Sequence, residues 1–290
     1  MTQLVIRHYA KPAAQPRLWA GIFMAVVAIA FGIEQAAQWL ASHPIAARGL
    51  EASLLAGLAT GLGALPILLR RPSASLMAPM LGLAGGMMLA ASFFSLLVPA
   101  IQTVAASAAP LVLAPLTALA FLGGTRLMRQ MDRRLPYAHV EEVDASSALP
   151  QVELVVAAIA LHNLPEGLAV GVAAASGAGH GMTLGIALQN IPEGWIVASA
   201  VLALGATPLR AALIALATGL VEPLGGLFGV IAGTVAGDAL PLALAAAAGA
   251  MLWVVNHELI PAACRPGCAV AGSAGLAGGF VVMAALAALL

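Results

Sequence analysis

The chain is 290 residues long, 62% hydrophobic and only 8% charged, which excludes a soluble domain and suits one polytopic membrane domain over 1–290. Its 12 basic and 12 acidic residues cancel, so no nucleic-acid partner is indicated. Two cysteines, Cys264 and Cys268, are too few for a disulfide framework.

Arg7, Lys11 and Arg17 precede an apolar run from Leu18 to Ile33. That run is longer than the roughly 7–15 residues of a signal-peptide core, so 17–40 reads as a retained first span. Further runs of about 20 residues, the length that crosses ~30 Å of hydrocarbon, follow at 48–70, 76–101, 104–128, 152–176, 181–205, 209–236, 239–261 and 269–290. The connections are short, except for 129–151 with its Asp132, Glu141, Glu142 and Asp144. With the N-terminus in the cytoplasm, alternation through nine spans places Arg7, Lys11, Arg17, Arg70, Arg71, Arg126, Arg129, Arg133, Arg134, Arg210 and Arg265 inside. Arg48 alone falls outside, which is the asymmetry of the positive-inside rule. The C-terminus then lies outside, and 129–151 is a cytoplasmic loop. The fold class is thus an all-α polytopic membrane protein. Glycines four apart (Gly57 and Gly61, Gly82 and Gly86, and Gly225, Gly229 and Gly233) mark close helix contacts.

Two near-copies of one phrase stand out: His162-Asn163-Leu164-Pro165-Glu166-Gly167 and Gln189-Asn190-Ile191-Pro192-Glu193-Gly194. Each lies within a long apolar run, where polar and ionisable residues are expensive and read as functional. At ~1.5 Å per residue, His162, Glu166, Gln189, Glu193 and Glu222 all lie about 12–21 Å deep, near the middle of the membrane. Within each phrase, residues three and four apart share a helix face. Pro165, Pro192 and Pro223 have no N–H to give the carbonyls of Leu161, Leu188 and Gly219, which become further candidate ligands.

An ionised carboxylate at the bilayer centre costs about 2.5–3.5 kcal/mol on insertion scales. Every Lys and Arg falls near a span end, so protons or a bound cation must balance three carboxylates. The mix of imidazole, amide and carboxylate donors suits Zn2+, and its oxygen-rich half would accept Cd2+, Fe2+ or Mn2+. Three carboxylates suffice to bridge two metals. The plainer alternative is that these side chains hydrogen-bond one another to lock helix contacts.

At these residues the chain resembles the ZIP (Zrt/Irt-like) family of divalent-metal transporters, in particular its bacterial GufA-type branch. The two phrases carry the resemblance, together with Glu222-Pro223-Leu224-Gly225. It covers the chain from about residue 50 onward and implies eight core helices, the first span here being an extra N-terminal helix. It also implies a binuclear site and elevator-type movement. One metal would use His162, Glu166, Gln189 and Glu193 with Met88 nearby; the second would use Asn163, Glu166, Asn190, Glu193 and Glu222. Ser95 would lie on the entrance path, and His257 and Glu258 on the exit. Some members have an acidic residue where this chain has Asn190, so its second site carries one charge fewer. The 129–151 loop holds one histidine, His139, where many members have a His-rich loop.

The implied activity is import of Zn2+ or Cd2+ as transported substrate into the cytoplasm, across a bacterial inner membrane. No organic cofactor is implied, and the resemblance allows a homodimer. Two other classes compete. An intramembrane metallohydrolase needs a general base beside its metal, and the sequence has His-x-x-x-Glu rather than His-Glu-x-x-His. A proton-conducting or purely structural membrane protein would carry protonated glutamates and show no metal dependence. His8, His43 and His180 read as solvated span ends, Glu34 and Glu51 as interfacial, and Cys264 and Cys268 as unengaged.

Overall fold

The computed structural model describes residues 24, 31, 34–35, 37–70, 72–134, 148–177, 179–235 and 239–289. Among these, every regular element is a helix, as expected where backbone groups must satisfy one another in lipid. The chain divides into two units, Met1–Pro44 and Ile45–Leu290. In the first, 37–42 are helical, and Trp39 stacks on His43 with ring centroids 4.4 Å apart. The predicted span at 17–40 lies mostly outside the described residues.

The second unit opens within α1 (Pro44–Ala64), continued by a short turn Pro66–Leu69. Next come α2 (Ala74–Ala90), a π-helical stretch Ala91–Leu97, α3 (Val98–Ala106) and α4 (Pro110–Arg134). The two phrases lie on α5 (Ala148–Ser176) and α6 (Gly179–Ala203), followed by α7 (Pro208–Gly219) and α8 (Glu222–Val235). The chain ends with α9 (Leu240–Val254), a second π-helical stretch Val255–Leu259, a turn Ile260–Ala263 and α10 (Ala269–Leu289). Among the described residues, seven stretches are long and apolar enough to cross a membrane: Pro44–Leu69, Ser75–Ala106, Pro110–Met131, Gly181–Ala203, Pro208–Thr234, Leu240–Ala263 and Ala269–Leu289. The helix α5, at 29 residues, exceeds the roughly 20 needed to cross.

Turn chemistry sets the breaks. Gly177 (φ 82°) and Gly205 (φ 92°) follow α5 and α6 in the left-handed region that only glycine enters cheaply. Thr207 caps α7, its hydroxyl accepting from the Arg210 N–H at 3.4 Å, with Pro208 at the first helical position.

Three boundaries depart from the sequence reading. The third and fourth hydrophobic runs part at 107–109 rather than 102–103, because the helix runs to Ala106 and the next starts at Pro110. Helix continues to Arg134 and resumes at Ala148, so the ends of the predicted 129–151 loop are helical; 135–147 lie outside the described residues. The predicted span 209–236 is two helices, broken at Leu220 and Val221. Pro223 therefore sits in the first turn of α8, where its missing N–H costs nothing, and not in a helix interior.

Three helix pairs pack most densely: α2 with α10, α5 with α8, and α4 with α9. Each is built on small residues, as membrane helix contacts are. Gly82 and Gly86 of α2 lie against the α10 backbone at Gly272 and Leu276, and Gly225 and Gly229 of α8 against α5 at Leu164 and Leu168. Gly124 of α4 meets the Ala246 carbonyl of α9, where Thr125 Oγ1 also donates to the Gly249 carbonyl at 3.1 Å. The glycine stripes read from the sequence are thus packing seams. The chain is a multi-pass membrane protein.

Candidate metal centre

The helices α5 and α6 run on through Pro165 and Pro192 without ending. The glycine closing each phrase has a steric reason. A Cβ on Gly167 would overlap the Glu222 carbonyl oxygen of α8, and one on Gly194 would overlap the Thr60 carbonyl oxygen of α1. Glycine therefore lets α5 press Glu166 beside the start of α8, and lets α6 press Glu193 beside α1. Glu222 is the first residue of α8, where the partial positive end of the helix dipole favours a carboxylate.

Amides of α6 bridge these elements. Gln189 Nε2 donates to Glu166 Oε1 at 2.8 Å. Asn190 Nδ2 donates to Glu222 Oε1 at 2.6 Å and to the Ala56 carbonyl at 2.8 Å. Asn163, Glu166, Gln189, Asn190 and Glu222 are 0% exposed, and His162 is 8% exposed. Glu166 and Glu222 each lie close enough to Glu193 to interact with it electrostatically, and Glu166 also feels Glu222.

The donors left over are the informative part. Asn163 Oδ1, Glu166 Oε2, Gln189 Oε1, Asn190 Oδ1, Glu193 Oε2 and Glu222 Oε2 are all buried without a hydrogen-bond partner in the protein. Buried oxygens nearly always have partners, and each orphan costs about 1–3 kcal/mol, more when charged. Six together, all from the two phrases and Glu222, are the donor types that suit a hard or borderline cation.

His162 and Glu193 face a cavity of about 480 Å³, whose lining includes Met88, His257, Glu258 and Arg265. Met88, 3% exposed, lines the same cavity as His162. Glu258 reaches farther inward than a surface residue would: its Oε1 lies 3.1 Å from His162 Nε2. The residues His162, Met88, Glu193, His257 and Glu258 thus share one space. Ser95 does not line it; it lies in the π-helical stretch beyond Met88.

Counting only His, Cys, Asp and Glu, no group of three among the described residues stands close enough to hold a metal ion. Any coordination sphere here must draw on the amide oxygens of Asn163, Gln189 and Asn190 or the sulfur of Met88. Cys264 and Cys268 are free thiols, with Cys264 Sγ 3.6 Å from Ser273 Oγ, and they do not line the cavity.

Two features escaped the sequence reading. One is the start of α8 at Glu222, concealed inside a continuous apolar run although Pro223 is an ordinary first-turn proline. The other is the pair of π-helical stretches. Their only sequence trace is a proline following each, Pro99 and Pro261.

Comparison with known proteins identifies the family. Residues 139–287 match the family described as ZIP Zinc transporter. Zinc transporter GufA of Myxococcus xanthus is 43% identical over 243 residues, covering 81% of this chain and 95% of that protein. Zinc transporter ZIPB of Bordetella bronchiseptica is 42% identical over 235 residues, covering 78% and 75%. Zinc transporter ZupT of Escherichia coli is 36% identical over 223 residues, covering 73% and 84%. Similarity along most of both chains, together with the paired proline–glutamate–glycine phrases, shows that this chain belongs to the GufA-type branch of the ZIP zinc transporter family.

Proposed function

We propose that the protein is a secondary transporter that imports divalent metal, Zn2+ foremost, with Cd2+ and then Fe2+ or Mn2+ as further substrates. The observation that carries this reading is the set of six buried, unpartnered oxygens at the Glu166–Glu193–Glu222 cluster. Such a site near mid-membrane, on helices disturbed by proline, is where transporters hold their substrates. Relatives named as zinc transporters support Zn2+ in first place.

The site takes two cations. His162, Glu166, Gln189 and Glu193 hold the first, with Met88 beside it; Asn163, Glu166, Asn190, Glu193 and Glu222 hold the second. Glu166 and Glu193 bridge, and each amide turns its oxygen toward the metal. The chain forms one transporter domain of eight core helices, with 17–40 as an extra N-terminal helix and the α4–α5 connection in the cytoplasm. Its N-terminus is cytoplasmic and its C-terminus outside, because that arrangement puts eleven of the twelve basic residues inside. In a bacterial inner membrane, the cavity from His162 to Arg265 then runs toward the cytoplasm. The dense α5–α8 pair carries four of these eight residues and moves against the rest in elevator fashion.

The test is Zn2+ influx into proteoliposomes holding a trapped fluorescent chelator. Saturable influx lost in Glu166→Ala is the expected result. Zn2+ that raises the melting temperature without crossing the bilayer would refute transport and leave a static metal site. Lipid or peptide turnover that depends on Glu166 would instead revive the hydrolase reading.

A further inference from the structure

The two π-helical stretches share a local cause. Each is followed by the same phrase, Leu97-Val98-Pro99-Ala100 in one and Leu259-Ile260-Pro261-Ala262 in the other. In each, the residue before proline donates across a wide turn, Val98 N–H to the Phe93 carbonyl and Ile260 N–H to the Val255 carbonyl. Proline explains the widening. In an α-helix Pro261 would drive its ring into the carbonyl of His257 while offering it no N–H. A π-turn accommodates the ring by adding a residue to the turn, and such bulges recur at functional sites.

The two stretches lie on different helices. The first follows Met88 along α2, and the second follows Val254 along α9. The first packs against α9, and the second against α2. Only the second carries ionisable side chains, His257 and Glu258, both lining the cavity that also contains His162 and Glu193. One extra residue per turn is worth about 100° of helical phase. Glu258 lies near the end of the wide turn. The side chain of Asn256 in the same turn donates to the Leu252 carbonyl at 3.0 Å, satisfying a backbone acceptor there.

We propose that Pro261 is a positioning residue: by imposing the π-turn at Val255–Leu259 it aims Glu258 at His162, and through that contact it sets the rate at which metal leaves the site for the cavity. The carboxylate 3.1 Å from His162 Nε2 is the first acidic group a cation meets on leaving the His162 side. With an N–H restored at 261, the turn returns to α-register and Glu258 swings away from the imidazole.

This inference rests on the transport reading, so wild type and Glu166→Ala run in the same proteoliposome assay to judge that reading separately. Pro261→Ala and Glu258→Ala are compared with the double variant. Each single variant is expected to lower the maximal Zn2+ influx about five- to tenfold, with half-saturation and detergent-phase Zn2+ affinity within about twofold of wild type. The double variant is expected to be no worse than Glu258→Ala, because Pro261 acts only through that carboxylate. Wild-type flux in Pro261→Ala, or losses that multiply in the double variant, would overturn the proposal. Should Pro261→Ala fail to fold, Pro261→Gly also restores the N–H and carries the same comparison. Unaltered wild-type flux in Pro261→Gly would be equally fatal.

Discussion

Substituting Asn190 tests how the second half of the pocket is held. Its amide makes two buried hydrogen bonds, to Glu222 Oε1 at 2.6 Å and to the Ala56 carbonyl at 2.8 Å, tying α6 to α8 and α1. In a membrane protein a polar contact averages about 0.6 kcal/mol, with a maximum near 1.7. A donor to a buried carboxylate lies higher, at about 1.5–3 kcal/mol, because its removal strands the acceptor. Asn190→Ala is therefore expected to cost about 2–4 kcal/mol without metal. Asn190→Asp should cost more, since it replaces a donor by a second carboxylate. Two charges ~4 Å apart repel by about 4 kcal/mol at an effective dielectric of 20. A divalent cation reverses that order. Aspartate adds a charged ligand to the second site, and ligand at a hundredfold excess over its dissociation constant contributes about 2.7 kcal/mol. Thermal unfolding of the detergent-purified protein, with and without Zn2+, reads both effects. The expected order is wild type above Ala above Asp without Zn2+, with the largest Zn2+-induced rise in Asp. Equal stability of Asp and wild type without metal, together with the same Zn2+ shift in all three, would refute the reasoning.

Adjacent glycines on α4 make a paired control. Gly124→Ala pushes a methyl into the Ala246 carbonyl and should cost about 1–3 kcal/mol, whereas Gly123→Ala meets nothing within 4 Å and should be neutral or stabilising by up to ~1 kcal/mol; thermal melts separate them. Gly167→Ala, against the Glu222 carbonyl, should cost a similar ~1–3 kcal/mol and also weaken Zn2+ binding, because it displaces a carboxylate-bearing helix; titration calorimetry measures that loss. Thr125→Val removes the hydroxyl bonded to Gly249 and should lower stability by about 0.6 kcal/mol, without changing half-saturation for Zn2+. Replacing Cys264 and Cys268 together by serine should leave influx unchanged, since neither lines the cavity.

How far the sequence could be read depended on whether a signal was local. Helix in the long apolar runs was legible because membranes leave the backbone few options. The faces of Glu166 and Glu193 were legible because the phrases are periodic. The meeting of Glu166 with Glu222 was foreseeable only as a common depth; it takes the glycine seam between α5 and α8, with Gly167 against the Glu222 carbonyl, to turn equal depth into contact. Glu258 shows the opposite case. Its place on the exit side came only from the resemblance, and nothing in the residue spacing paired it with His162. Pro261 widens the turn before it and changes its direction, so the carboxylate turns inward to His162. Proline inside a span thus had several outcomes here: α5 and α6 absorb Pro165 and Pro192 within continuous helix, Pro223 opens α8, and Pro99 and Pro261 follow wide turns. These prolines differ in their surroundings and not in their own chemistry, and surroundings are what a single sequence does not display. Where a proline is found to re-aim an ionisable side chain toward a pocket, the backbone break belongs to the site as much as the ligand does.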